Sequence, residues 1–208
     1  LEAGKHALVE YPLALSARAT NDLQNYAEKQ SRVLHVGLIG LMTDYHGEVN
    51  RAILAEKPRM VRFHFAAGYG RAIRGEAESR YWGELATSRL HSLWDWMGPL
   101  TIRDASLDSS EDGYELRVLL ENKTGVSAEL VEERRLDLKR HRRVTLELSD
   151  SRTRSLPYTR GAIHAFKRDI DQFVVHTQVK GKQSLKRHSE SVLGVAGLAQ
   201  QISERLRG

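Results

Sequence analysis

The residues whose types and spacing best suit them to chemistry lie between Arg103 and Gly125, in RDASLDSSEDGYELRVLLENKTG. Asp104 stands at the start of this stretch, and Glu121 and Lys123 stand two apart near its end. Two carboxylates and one ammonium are the minimum set for metal-assisted phosphodiester hydrolysis. Hard oxygen ligands suit Mg²⁺, which keeps several waters and substrate oxygens in its shell. The ion lowers the pKa of a bound water and polarises the phosphoryl group. A lysine beside it orients the water or the scissile phosphate, and the carboxylates favour its charged form. The pattern predicts metal ligation by Asp104 and Glu121, with Lys123 as their catalytic partner. Asp108 and Asp112 compete with Asp104 for the first place.

These residues need a β-hairpin to position them. A short strand follows Asp104, a turn sits at Ser110-Glu111-Asp112-Gly113, and a long strand covers 114–120. Asp-Gly is a strong tight-turn signal because glycine takes positive φ at no steric cost. Residues two apart on a strand share a face, so Glu121 and Lys123 point the same way.

Other elements surround the hairpin. Residues 76–97 read as the clearest helix, with Trp82, Leu85, Ala86, Leu90, Leu93, Trp94 and Met97 on one side and Gly98-Pro99 as its stop. Trp96 lies off that face and is the freer tryptophan. Residues 127–135 read as helical with Glu129, Glu132 and Glu133 exposed, 143–148 as a strand, and 159–174 and 189–207 as helices. In the N-terminal part, two readings stand. One is a long helix after the Thr20-Asn21-Asp22 cap. The other is a buried strand over 33–41 followed by a helix over 43–56. Residues 60–65 alternate as a strand, and the glycines of GYGRAIRG read as a hinge.

The order helix, hairpin, Glu-x-Lys strand end, helix, strand, helix resembles the PD-(D/E)xK nuclease superfamily over roughly residues 76–175. The segment LLENKTG followed by RVTLEL carries the likeness most closely. The resemblance implies an α/β fold of the restriction-endonuclease-like type, a small mixed central sheet flanked by helices, with helical N-terminal and C-terminal additions. It implies a Mg²⁺- or Mn²⁺-dependent nuclease acting on DNA. It also implies that an acidic residue of the preceding helix joins the site: Glu78, with Glu76 and Glu84 as rivals. The regions that follow are a mainly helical 1–70, a nuclease-like core over 71–180, and a basic linker with a helix over 181–208.

Composition is compatible with that expectation. Of 208 residues, 40% are hydrophobic and 28% charged, the balance of a folded domain rather than a disordered chain. The net charge of +5 suits a polyanionic partner. Arg140, Arg142, Arg143, Arg152, Arg154, Arg160 and Lys167 are the expected contacts to a nucleic-acid backbone. The absence of cysteine excludes disulfides, thiolate metal sites and a cysteine nucleophile. No His-x-x-x-His, Gly-x-Ser-x-Gly, Walker A or dinucleotide glycine fingerprint occurs. No apolar run approaches the roughly 18 residues of a membrane span, and the reading is a cytoplasmic protein. The alternative is a non-catalytic nucleic-acid-binding or assembly subunit, with the terminal helices making protein contacts or a homodimer.

Overall fold

The computed structural model describes residues 1–68, 86–158, 164–178 and 182–207. The chain opens with a βαβ unit. Strand β1 (Ala7–Glu10) and strand β2 (Leu34–Gly37) run parallel, and α1 (Ala17–Lys29) connects them. Parallel neighbours need such a crossover, because a tight turn cannot return the chain in the same direction. Ser16 starts α1 by accepting the Ala19 N–H at 3.1 Å, satisfying one of the first orphan donors. A 3-10 turn over Ile39–Met42 leads into α2 (Asp44–Glu56), which Thr43 caps through the His46 N–H at 3.2 Å. The second of the two N-terminal readings is therefore correct. Gly37 and Gly40 do not interrupt an α-helix: Gly37 closes β2 and Gly40 lies in the 3-10 turn.

A mixed six-stranded sheet follows. Its strands are β3 (Met60–Gly68), β4 (Leu100–Ser110), β5 (Gly113–Asn122), β6 (Ser127–Arg135), β7 (His141–Glu147) and β8 (Thr153–Pro157). The spatial order is β4-β5-β6-β3-β7-β8, with only β3 and β6 parallel. One face is apolar. Val61, Phe63, Leu116, Leu120, Leu130 and Leu146 are fully buried there. They pack with Val49 of α2, Leu90 and Leu93 of α3 (Thr87–Met97), and Ile202 of the last helix, Lys182–Arg205. Each such side chain contributes about 2 kcal/mol through apolar burial. The other face is laced with ions: Arg62 meets Glu129 and Glu147, and Arg117 meets Glu115 and Glu129. Helix α4 (Ala165–His176) precedes the last helix, α5, and packs near β2.

The β4–β5 hairpin forms with its turn at Ser110–Gly113, as the sequence predicts. Gly113 is obligatory: its φ is +146° and a Cβ would lie 1.8 Å from the Arg134 carbonyl oxygen. Residues 127–135 correct the helical expectation, since they form β6. Ala128, Leu130 and Glu132 face inward while Glu129 and Glu133 face outward, a period of two. Strand β6 pairs on both sides, and that pairing overrides the helix-forming tendency of its Glu and Arg residues. Trp96 is also corrected: it is buried, and its Nε1–H donates to the His46 carbonyl at 3.2 Å. The chain is thus mixed α/β with a central sheet flanked by helices, but its arrangement is not restriction-endonuclease-like. The first part of the expected helix over 76–97, residues 76–85, lies outside the described residues. No helix among them is long and apolar enough to cross a membrane.

Candidate active site

The hairpin end does not build a metal centre. Glu121 accepts two hydrogen bonds from Arg103, at 2.8 and 2.9 Å, so both carboxylate oxygens are engaged by one guanidinium. That contact pulls Glu121 below the ordinary carboxylate range. Asp104 is exposed and lies opposite Leu119, two positions from the residue that faces Thr101, Glu121. Lys123 is exposed in the following turn, and Glu78 lies outside the described residues. No group of three or more His, Asp or Glu side chains among the described residues is placed to hold a metal ion.

The expected nucleic-acid contacts are scattered, and three of the seven are engaged in ion pairs. Arg152 pairs with Asp150, Arg154 with Glu56, and Lys167 with Asp171. Arg143 stands exposed on the outward side of β7, and Arg160 lies outside the described residues. Arg140 and Arg142 differ, because they enter a second cluster described below.

A crevice opens at the carboxyl ends of β1 and β2. Tyr11, Pro12, Leu13, Ala14 and Ser16 form one wall, and Val36 continues it. Thr87 and His91 of α3 and Val192, Ala196 and Ala199 of α5 form the other. The strand ends in Glu10, a proline turn follows, and Ser16 begins the helix, so the backbone opens outward where β1 stops. Ligands in α/β sheets bind in this position, just beyond the carboxyl edge. His91 is buried in the wall, with its Nδ1 3.3 Å from Ser191 Oγ. Burial pushes its pKa down to about 3 against the opposing pull of Asp95, so the imidazole is neutral at ordinary pH.

The second cluster lies at the carboxyl ends of the parallel pair β3 and β6. Glu132 is fully buried there, and its carboxylate accepts from Arg89 of α3 and, at 3.0 Å, from Arg134. Around the Phe65 ring stand the guanidinium carbons of Arg89, Arg134 and Arg140, at 4.6, 4.8 and 5.6 Å from its centroid. Arg142 sits over Phe63 and Tyr158, at 5.2 and 5.3 Å. Burial pulls its pKa below the ordinary guanidinium value, and its Nε has no hydrogen-bond partner. Four cations thus face one bonded carboxylate, and neither Arg140 nor Arg142 has a carboxylate partner among the described residues. A planar aromatic floor ringed by guanidinium forks suits a flat ligand bearing carboxylates.

Helix α3 joins the two places. Thr87 and His91 lie one turn apart and face the crevice, while Arg89, between them, faces Glu132. Sequence reasoning missed the crevice. Its available signal was the apolar Ala7-Leu8-Val9 run broken by Tyr11-Pro12 and followed by the Ser16 cap.

Comparisons with known proteins agree with this geometry. A family model described as "Oxidoreductase family, NAD-binding Rossmann fold" matches residues 1–38, which hold β1, α1 and β2. The chain is 27% identical over 210 residues to human biliverdin reductase A, covering 98% of the chain and 69% of that protein. It is 29% identical over 179 residues to the mouse protein, covering 84% of the chain and 58% of that protein's length. Among solved structures, it superposes with a TM-score of 0.76 on a Synechocystis biliverdin reductase in complex with biliverdin and NADP⁺. That match has 21% identity and covers the whole chain and 73% of the other. A Chromobacterium violaceum dehydrogenase superposes at 0.72 with 12% identity, over 99% of this chain and 69% of its own. These findings overturn the nuclease reading: the fold is the one shared with these oxidoreductases, and neither DNA hydrolysis, a nucleic-acid-binding subunit nor Mg²⁺ is supported.

Proposed function

We propose that this chain is the substrate-facing part of an NAD(P)-dependent reductase of the biliverdin reductase kind. The observation that carries the reading is the adjacency, through α3, of a crevice at a parallel-strand carboxyl edge and a cradle of arginines around Phe65. The likeness to biliverdin reductase A over nearly the whole chain supports it.

The residues fit one end of a dinucleotide. The crevice is lined mainly by Pro12, Leu13, Ala14, Val36, Val192 and Ala196, with Tyr11, Ser16, Thr87 and His91 as its polar groups. That mixture of residue types matches the lining of a flat amphipathic ring such as nicotinamide, and the crevice, about 20 Å³ as it stands, must widen to admit one. No G-x-G-x-x-G, the turn that cradles a pyrophosphate, occurs in the 208 residues. When bound, the nicotinamide supplies hydride.

The chain's own residues do the rest. Arg140 and Arg142 hold substrate carboxylates and Tyr158 backs the flat conjugated body, while the buried Phe63 and Phe65 support the guanidiniums from beneath. Arg89, tied to Glu132, fixes the cradle against α3. His91, neutral in the apolar wall, keeps one imidazole face toward the crevice without placing a cation there. The ligand class is a planar, conjugated dicarboxylate, with biliverdin as the test compound.

The test is a titration of biliverdin into the full chain, followed by its absorbance. Saturable binding that weakens about tenfold or more in Arg142→Ala, the loss of a charge-assisted contact, supports the reading. Absence of binding, or equal binding by native chain and variant, overturns it.

A further inference from the structure

Strand β2 pairs only with β1 among the described residues, so its other edge presents backbone N–H groups that no described strand receives. Two side chains receive them instead. The Val36 N–H donates to His188 Nε2 at 3.1 Å, and the Leu38 N–H donates to Asp169 Oδ1 at 3.3 Å. His35 projects from the same edge and meets Asp169 Oδ1 through Nε2 at 3.2 Å. Its Nδ1 lies 2.9 Å from His176 Nδ1, and His176 Nε2 lies 3.0 Å from Ser184 Oγ. The His188 ring stacks on His35, centroids 4.4 Å apart and nearly parallel. Gly37 lets the carboxylate come this close, since a Cβ there would lie 3.0 Å from Asp169 Oδ2. His35, Asp169 and His176 are at most 2% exposed.

Counting protons shows how narrow the tolerance is. With all three imidazoles neutral, one continuous chain of donors runs from the Ser184 hydroxyl to His176, from His176 Nδ1–H to His35 Nδ1, and from His35 Nε2–H to Asp169. One extra proton fits by reversing the direction of the inner bonds, giving a His35 cation beside Asp169. A second proton sets two N–H groups against each other between His35 and His176. A proton on His188 Nε2 removes the acceptor of the Val36 N–H and stacks a cation on His35.

We propose that His35, Asp169, His176 and His188 form a pH-sensitive latch that fastens α4 and α5 to the free edge of β2 and so holds the crevice wall where Val36 meets Val192. The groups facing the latch are His35 from β2, Asp169 and His176 from α4, and Ser184 and His188 from α5. From α3 comes His91, which leans on Ser191 and feels Asp95. Asp169 is the one carboxylate bonded to the cluster among the described residues. Burial and the neighbouring imidazoles push His176 down to about 4 and His188 down to about 3, which keeps both neutral while the latch is shut. The latch stands on geometry of this chain alone and does not depend on the reductase reading.

Amide hydrogen exchange on the full chain, read at Val36 and Leu38 between pH 7.5 and 5 and corrected for intrinsic rates, tests it. The local opening constant should rise about thirtyfold per imidazole released by pH 5, while β3 amides stay protected. His188→Gln keeps an acceptor for the Val36 N–H and does not titrate. It should retain protection at pH 7.5 and lose about thirtyfold of the acid response. An unchanged acid response in the variant, an unprotected Val36 at pH 7.5, or opening of β2 only together with β3 would each sink the latch. If the variant does not fold, proton titration of the native imidazoles decides. His176 and His188 still neutral at pH 5 support the latch, and either one titrating near its free value overturns it.

Discussion

At the scale of single residues, the chemistry turns on which charges have partners. Glu121 and Lys123 satisfy the spacing of a hydrolytic site, yet Arg103 engages the Glu121 carboxylate completely and Lys123 turns to solvent. That competition was invisible in the sequence, because Arg103 reaches Glu121 only after a bulge between Ile102 and Asp104 shifts the register. Arg140 and Arg142 were legible as basic and polyanion-seeking, but not as inward-facing. Alternation along β7 sends Arg142 toward Phe63 and Arg143 to the opposite side. Glu132 is the keystone of their cradle. Glu132→Ala leaves two buried or half-buried guanidiniums without their carboxylate, and should cost about 3–5 kcal/mol of stability, read as a shift of the urea midpoint. An unchanged midpoint would show that the cradle is not held by this pair. Glu121→Ala, by contrast, should leave biliverdin binding unchanged, since its side-chain partner among the described residues is Arg103 of the same hairpin, away from the cradle.

At the scale of elements, periodicity was a good guide where one face is buried and one is solvated. The β4–β5 hairpin, α2 in its second reading, and α4 were legible on that ground. Strand β6 was not, because it is paired on both sides and carries ions on both faces, so composition suggested a helix. Strand β1 was missed because it is only four residues long and receives its meaning from β2, to which it pairs 27 residues later. Two glycines show how tightly the elements are joined. At Gly194 a Cβ would lie 2.2 Å from the Trp94 ring, so α5 approaches α3 by way of that missing side chain. Gly194→Ala should destabilise the fold by about 1–3 kcal/mol through overpacking. Gly113→Ala should cost at least as much, because its Cβ meets backbone rather than a movable ring. Thermal or urea unfolding checks both. A neutral Gly194→Ala would mean that α3 and α5 do not pack at the observed distance.

At the scale of the whole molecule, the fold fastens α4 and α5 to the free edge of β2, and the neutral histidines between them make the assembly acid-sensitive. His91, His176 and His188 are held to about 3, 4 and 3 by burial, with the neighbouring imidazoles adding to the shift for the last two. Unfolded, each titrates near 6.5, so between there and the folded values the unfolded chain binds more protons. The stability from this source is complete above about pH 6.5 and falls with pH, by about 1.4 kcal/mol per pH unit for each imidazole. Urea midpoints should therefore drop steadily from pH 7 to 5, and a flat profile would contradict the burial of these rings. The central claim is that the arginine cradle beside the β1–β2 crevice holds an anionic conjugated substrate. Its most direct test is the absorbance titration of biliverdin into the native chain and into Arg140→Ala and Arg142→Ala. Saturable binding by the native chain, weakened about tenfold or more in each variant, is the expected result. Equal binding by all three, or none by the native chain, would contradict it.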